Sequence, residues 1–178
     1  WGHEAVDQVL VWMFTLDGVP MLFTGNELAD SDERHSMFGK TPMDWTQLDR
    51  EPGKSRHALV KRLAALRREH SEFTDINGEG GLTWLDTTAN DSVTAFVRRN
   101  GRETMLVVQN WTGKDVRCDV SFAVPKRKTA SYLAADEENR DVKGRVSPDA
   151  VYSKNAEFVG GTTFRVGAWG AWISKVNF

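Results

Sequence analysis

The stretch that decides the fold of this chain is Gly18-Val19-Pro20-Met21-Leu22-Phe23-Thr24-Gly25-Asn26-Glu27. A short apolar run stands at its centre between glycine and proline breakers, which is typical of a strand buried on both faces of a parallel sheet. The run predicts a strand over 19–24. Barrel enzymes place functional groups where such strands end, so the Gly-x-Glu corner that follows is a candidate site.

Amphipathic helices are predicted on both sides of this strand. Residues 3–16 place apolar side chains at helical spacing, and Gly18 ends the pattern because glycine accepts a left-handed conformation. Residues 55–70 repeat leucine at helical spacing, with Ser55 as the N-cap and a charged face that we expect to be solvated. Residues 28–54 predict a long irregular loop, and loops of this length are usually functional or disordered.

The hydrophobic period changes from about 3.6 to about 2 residues after Glu79-Gly80-Gly81. Alternating segments then recur between turn residues, and Asn100-Gly101 between two of them is a strong hairpin signal. Residues 80–178 therefore predict an antiparallel β-sandwich, with 136–155 as a polar surface excursion. The candidate strands are 82–85, 92–99, 103–109, 116–122, 130–133, 157–159, 162–166 and 169–176.

Composition excludes two classes of partner. The chain has 178 residues, of which 40% are hydrophobic and 27% charged, with a formal net charge of -2. There is no excess of basic residues to neutralise phosphates, so nucleic acid is not an expected partner. No apolar run approaches the roughly 20 residues that span a bilayer, so no membrane interaction is expected. Cys118 is the only cysteine, and the cytoplasm and a secreted or periplasmic location both stay open.

Three motifs resemble the α-amylase family of glycoside hydrolases, known as glycoside hydrolase family 13. The last barrel strand of that family carries a Gly-x-Pro-x-x-x-x-Gly-x-Glu motif, which this chain matches with Gly18, Pro20, Gly25 and Glu27. Residues 42–45 (PMDW) resemble its Pro-Met-x-Trp segment, and residues 65–70 (ALRREH) resemble the end of its eighth barrel helix. The order and spacing of the three motifs make the resemblance specific.

The resemblance implies an α+β fold class. Residues 1–79 would be the C-terminal end of a (β/α)8 barrel, with two helices and one strand, and residues 80–178 the antiparallel β-sandwich that follows it. In the family, the catalytic carboxylates stand on earlier barrel strands, at positions that would precede Trp1. No catalytic residue is therefore assigned, and the chain is expected to be an inactive C-terminal fragment of a retaining enzyme acting on α-glucans or oligosaccharides.

The side chains that follow the predicted strand are candidates for the rim of such an active site. Asn26, Glu27 and Asp30 belong to the loop at the strand end, and Trp45 offers a ring for stacking on a sugar. Each also has a structural interpretation, as a solvated loop residue, a turn cap or an anchor for the loop. In the β domain, Trp111 at a strand end is the best candidate for a sugar platform, with packing as the alternative.

No cofactor and no metal site are assigned. The four histidines are scattered without metal-ligand spacing. The oxygen-rich loop after Glu27 leaves Ca²⁺ open in a parent enzyme, although no EF-hand pattern supports it. The expected partner is an α-glucan or oligosaccharide, bound through the N-terminal part of the barrel.

Three further expectations stay open beside this one. The chain is alternatively a non-catalytic carbohydrate-binding or structural β domain, or a degenerate amylase-like subunit. Helices taken from a barrel would also expose apolar faces, so dimerisation through them is expected.

Overall fold

The computed structural model describes residues 2–35, 38–74, 81–100, 103–122 and 144–177. Contacts divide the chain into two compact units, Trp1–Ile76 and Asn77–Phe178. The α-helices belong to the first unit, and antiparallel strands form the second. This distribution confirms the predicted α+β class.

Two α-helices organise the first unit. Helix α1 (His3–Thr15) and helix α2 (Gly53–Glu69) lie where the hydrophobic periodicity predicts helices. Burial follows the predicted apolar faces in part, and the buried members of these faces include Ala5, Leu10, Phe14, Leu63 and Leu66. In α1 the buried stripe is rotated from the predicted one, because Val6 and Val9 are 40% and 42% exposed whereas Val11 is completely buried.

Helix α2 begins earlier than predicted, so the expected Ser55 cap is wrong. Pro52 occupies the N-cap position, and the Ser55 hydroxyl instead donates to the Pro52 carbonyl at 3.0 Å. The first helical residue, Gly53, must be glycine because two backbone carbonyl groups lie close to its Cα. A Cβ on Gly53 would collide with the carbonyl oxygen of Gln47 and lie 2.9 Å from that of Leu28.

The expectation that the charged face of α2 is solvated is wrong for two arginines. Arg56 is 3% exposed and forms an ion pair with Asp7 of α1. Arg67 is 8% exposed and donates to carbonyl groups that the C-terminal end of α1 leaves without helical partners. Its acceptors are the carbonyl oxygens of Phe14 (3.0 Å), Leu16 (3.1 Å) and Gly18.

The strand predicted over 19–24 does not form. Val19 and Met21 are 81% and 83% exposed, where the prediction buried them. A strand is stabilised by hydrogen bonds to a neighbour, and every strand in the described part of the chain belongs to the second unit. The local pattern is that of a buried strand, but a single segment cannot bury both faces without neighbours.

Six antiparallel strands lie in the described part of the second unit. In space their order is β3-β2-β1-β4-β6-β5, and β3 also pairs with β6. The first half of β6 pairs with β4 and its second half with β3, so the sheet closes on itself. The strands are β1 (Leu82–Thr87), β2 (Val93–Asn100), β3 (Glu103–Asn110), β4 (Val116–Ser121), β5 (Arg145–Gly160) and β6 (Thr163–Asn177).

The hairpin signal is confirmed by the pairing of β2 with β3, in which Asn100 lies opposite Glu103. Two predictions nearer the C-terminus are wrong. The strands expected at 162–166 and 169–176 are one continuous strand, β6. Residues 145–155, expected in a polar excursion, belong to β5, whose polar residues are tolerated because β6 is its only described neighbour. The strand candidate 130–133 lies outside the described residues.

The core of the second unit contains apolar side chains from all six strands. Cys118 belongs to it and is 2% exposed. Burial, and then the neighbouring Asp119 charge, raises the pKa of the Cys118 thiol to about 11. Cys118 is therefore a core residue of strand β4.

Candidate functional site

A cavity of about 440 Å³ opens in the first unit, where the 18–27 stretch ends. Its lining combines two phenyl rings with carboxylates, an amide and an imidazole. A site that offers apolar faces beside a few placed polar groups is suited to a small polar ligand with an apolar face. The side chains that define it are Phe23, Asn26, Asp30, Asp32, His35 and Phe38.

Gly25 directs the backbone into this cavity. Its φ of 91° lies in the left-handed region that glycine accepts without strain. Its carbonyl accepts hydrogen bonds from the N–H groups of Leu28 and Asp30, both at 3.0 Å. Because Leu28 is completely buried, this turn is anchored, and it holds Asn26 and Asp30 at the cavity.

Asp30 and His35 form the central pair of the site. His35 Nδ1 lies 2.7 Å from Asp30 Oδ2, and Asp30 Oδ1 accepts from the Asp32 backbone N–H at 2.9 Å. Burial alone would raise the pKa of the Asp30 carboxyl. The hydrogen bonds from Asp32 and His35 outweigh burial, so this pKa lies below its ordinary value. The pair therefore presents an ionised carboxylate to the cavity at neutral pH.

Asp32 supplies a second ionised carboxylate. Arg34 holds it in a two-pronged ion pair, with Nε to Oδ1 at 2.9 Å and Nη2 to Oδ2 at 2.5 Å. This guanidinium keeps the pKa of the Asp32 carboxyl well below its usual range. Asp32 Oδ2 also lies 3.9 Å from His35 Nε2, so the imidazole lies between two carboxylates.

The predicted rim residues separate into two groups. Asn26 and Asp30 line the cavity, whereas Glu27 and Trp45 are not among its lining residues. Glu27 lies half-buried in the turn Asn26–Leu28. Trp45 begins a short 3-10 helix and is 60% exposed, so it does not anchor the loop by burial.

Three cavity residues were given no role by the sequence patterns. His35 fits no metal-ligand spacing, although Asp30-x-Asp32-x-x-His35 is short enough to bring two carboxylates to one imidazole. Phe23 has the pattern of a buried strand residue, yet it is 46% exposed and faces the cavity. No sequence pattern around Phe38 predicts that it lines the cavity, because its position there depends on how the loop folds.

Trp111 of the second unit, the predicted sugar platform, is half-buried rather than fully exposed to solvent. Its indole Nε1 donates to Thr94 Oγ1 at 2.8 Å. The backbone N–H of Trp111 donates to the Ser92 carbonyl, also at 2.8 Å. The ring is thus held against strand β2.

Within the described residues, no group of three or more His, Cys, Asp or Glu side chains is placed to hold a metal ion. No helix in the described ranges is long and apolar enough to cross a membrane.

Lowering the pH is expected to protonate Asp30 only below the ordinary carboxyl pKa of about 3.9. A depressed pKa means that the stabilisation of the loop is fully present above the unfolded value and is lost as the pH falls through the folded value. The side-chain carboxyl ¹³C shift of Asp30, followed by NMR across the acid range, measures this midpoint.

Variants at two histidines identify the cause of that shift. His35→Ala should move the Asp30 midpoint upwards, because it removes the 2.7 Å contact. His3→Ala is the matched control, since this exposed side chain belongs to α1 and does not line the cavity. A midpoint at or above the ordinary value in the unmodified chain would contradict the prediction.

Comparison with known proteins identifies a family profile for the second unit and two relatives that match more than half of the chain. The family profile described as "Alpha amylase, C-terminal all-beta domain" matches residues 84–176. A 1,4-alpha-glucan branching enzyme from Synechococcus sp. (strain CC9311) is 32% identical over 108 residues, which cover 58% of this chain and 14% of that enzyme. A cyclomaltodextrin glucanotransferase from Klebsiella oxytoca is 25% identical over 113 residues, covering 61% of this chain and 16% of that enzyme.

Solved structures share the fold. An isomaltulose synthase variant from Erwinia rhapontici NX5 matches with a TM-score of 0.65 at 14% identity, covering 100% of this chain and 39% of that one. Identity at this level shows likeness of fold alone. This chain spans well under half the length of each of these three proteins.

Proposed function

Because this chain belongs to the family of the alpha amylase C-terminal all-beta domain, found in glycoside hydrolase family 13, we propose that it is the C-terminal part of an α-glucan-active enzyme. The first unit would be the end of the barrel, within residues 1–79, and the β domain would follow from residue 80. The catalytic carboxylates would be supplied by a part of the enzyme outside residues 1–178. The parent would be a retaining glycosidase, which needs two carboxylates flanking the scissile bond.

One observation carries this proposal: an apolar, unpaired segment leads directly into a polar cavity. Val19 and Met21 are more than four-fifths exposed, although their sequence pattern is that of a buried strand. A last barrel strand would have this exposure if its neighbouring strands were absent. Functional groups of a barrel lie at the C-terminal ends of its strands, and Asn26 and Asp30, which line the cavity directly after this segment, would hold that position in the parent enzyme.

The chemistry of the cavity supports binding of a sugar rather than cleavage of one. Asp30 and Asp32 are held as acceptors by His35, Arg34 and backbone groups. Ionised acceptors suit sugar hydroxyl donors, and the phenyl rings suit the apolar faces of a pyranose. Asn26 and Asp30 are therefore proposed as rim residues that contact substrate. Glu27 and Trp45 stay proposed members of the wider rim.

The exposed apolar surface of the first unit supports a further part of the proposal. Val6 and Val9 of α1 are 40% and 42% exposed, and Val19 and Met21 are more exposed still. Preceding barrel elements would cover this surface in the parent enzyme. A second copy would cover it in the isolated chain, because apolar patches of this kind mark interaction sites.

The chain of residues 1–178 is expected to show no turnover of starch, maltooligosaccharides or pullulan. The physical reason is that retaining cleavage needs a carboxylate nucleophile and a carboxylic acid/base on either side of the glycosidic bond. Under the proposal, both groups belong to a part of the enzyme outside residues 1–178. Release of reducing ends measures turnover, with an active α-amylase in parallel to establish sensitivity. Turnover above a no-enzyme control would disprove the proposed inactivity.

The coding sequence upstream of Trp1 provides an independent test of the parentage. An Asn-His-Asp triplet within a few tens of residues there is expected under the proposal. An upstream segment without barrel-type strands and helices would contradict it.

A further inference from the structure

A groove of about 180 Å³ lies on the second unit, beside strands β1 and β2, separate from the cavity of the first unit. Its size suits a single monosaccharide ring. One aromatic side chain and three polar side chains line it, together with backbone and apolar atoms. These four are Trp84, Asp86, Asn90 and Thr94.

Trp84 lines this groove with a partly exposed indole. It is 39% exposed and is therefore not a core residue. Phe96 lies directly opposite on β2 and is completely buried. The two ring centroids are 5.1 Å apart with an interplanar angle of 64°, an edge-to-face contact that fixes the indole. A rigid, half-exposed indole is suited to stacking on the apolar face of a pyranose.

Asn90 is held in one orientation beside the indole. Its Oδ1 accepts from the Thr87 N–H at 2.6 Å and from the Thr87 hydroxyl at 3.0 Å. These bonds turn the amide so that Nδ2 points towards Asp86 Oδ1 at 3.4 Å. That contact is long for a hydrogen bond, so the amide still has donor capacity for a ligand. Asp86 in turn offers its carboxylate as an acceptor.

Thr94 is oriented from the other side of the groove. Its Oγ1 accepts the hydrogen bond from Trp111 Nε1 at 2.8 Å, which leaves its own O–H available to donate. The groove therefore carries an acceptor at Asp86 and donors at Asn90 and Thr94. Because neighbouring groups already hold two of these side chains, little conformational freedom would be lost on binding.

We propose that this groove is a second carbohydrate-binding site, in which one pyranose ring stacks on Trp84. Its hydroxyl groups would donate to Asp86 and accept from Asn90 and Thr94. Trp111 acts as a positioning residue that fixes Thr94, and Trp84 is the platform. The aromatic ring and the polar side chains of the groove are the grounds for inferring a sugar ligand. That the sugar belongs to an α-glucan rests on the proposed function.

Titration of residues 1–178 with maltoheptaose, followed by NMR of the tryptophan indole N–H signals, tests this site. The Trp84 signal, assigned by its loss in Trp84→Phe, is expected to shift at millimolar ligand. Trp84→Ala should weaken binding at least about tenfold, and Trp84→Phe, which keeps an aromatic ring, should weaken it less. Asp86→Asn should weaken binding, whereas Asp149→Asn, at an exposed position on β5, should leave it unchanged.

Folding of the variants is checked by alkylation of Cys118, which stays protected while the β domain is folded. Equal affinity of the unmodified chain and Trp84→Ala overturns the proposal, as does a Trp84 signal that no sugar shifts. Either result leaves the proposed function untouched, because that function rests on the first unit and the family match. If cellohexaose shifts the signal and maltoheptaose does not, the groove binds sugar and the α-glucan assignment is wrong.

Discussion

Replacing Asn110 by alanine is expected to lower the free energy of unfolding of the β domain by about 3 kcal/mol. The side chain is completely buried, and its amide is saturated with partners. The two N–H groups of Nδ2 are shared among the carbonyl oxygens of Lys114 (2.7 Å), Val166 (3.0 Å) and Gly167 (2.9 Å). Oδ1 accepts from the N–H (2.9 Å) and hydroxyl (2.8 Å) of Thr112.

The position of these bonds explains why the effect should be large. In the ladder, Val166 pairs with β4, whereas Ala171 pairs with β3. Between them β6 changes neighbours, and this change closes the sheet. Asn110, the last residue of β3, donates to β6 carbonyl groups at this change of neighbours. Alanine would remove this donor from the buried Val166 bond and from the part-buried bonds to Lys114 and Gly167, at the point where two parts of the sheet join.

Cysteine labelling measures this effect within the β domain itself. The Cys118 thiol is buried and its pKa is raised to about 11, so alkylation reports opening of the core. Asn177→Ala is the matched control, because this asparagine is exposed near the end of the same strand β6. We expect the control to change stability by less than about 0.5 kcal/mol. Equal denaturant midpoints for the two variants would show that the network is not needed for closure.

Replacing Arg67 by methionine is expected to destabilise the first unit by about 3 kcal/mol. The guanidinium is 8% exposed and donates to the carbonyl oxygens of Phe14, Leu16 and Gly18. Methionine keeps most of the apolar stem of arginine and removes all three donors. The end of α1 would then lose the groups that satisfy its last carbonyls.

Circular dichroism in the helical band follows this unit, since α1 and α2 are the α-helices of the described chain. Arg68→Met provides the control, because Arg68 is the next residue of the same helix and is exposed. The control should melt within a degree or two of the unmodified chain. If Arg67→Met melts together with Arg68→Met, the bonds to α1 contribute no net stability.

Several parts of the fold could be predicted because they depend on local periodicity. Both helices follow from apolar spacing near 3.6 residues, and β1 to β4 follow from alternation with a period of 2. Pairing of β2 with β3 follows from the turn preference of Asn100-Gly101. In each case the residues that carry the signal lie within one element or one hairpin.

Other parts could not be predicted because they depend on contacts between distant residues. Strand β5 is polar along much of its length and is specified by pairing with β6. Arg56 and Arg67 have the sequence pattern of solvated helix residues, and their partners include groups of α1 and of the residues that follow it, some 50 positions earlier in the chain. The 19–24 segment shows the converse, because its pattern predicts a buried strand and no strand forms there.

The candidate site also contains residues that could be predicted from local sequence and residues that could not. Asn26 and Asp30 were identifiable from the strand-end motif, since a turn at Gly25 places them a few residues apart. His35 and Phe38 were not identifiable, because the folding of the loop brings them to the cavity. The groove at Trp84 depends on a pairing across β1 and β2 and on the bond from Trp111 to Thr94.

Sequence alone therefore determines the two helices, the first four strands, the change from helical to strand period and the motif that leads into the cavity. These properties reside in neighbouring residues, whose spacing sets which side chains share a face. Tertiary structure decides that Arg67 serves α1 rather than solvent, that Asn110 closes the sheet and that Trp84 is exposed. Burial and hydrogen-bond partners are properties of residues far apart in the chain, so they exist only once the chain has folded.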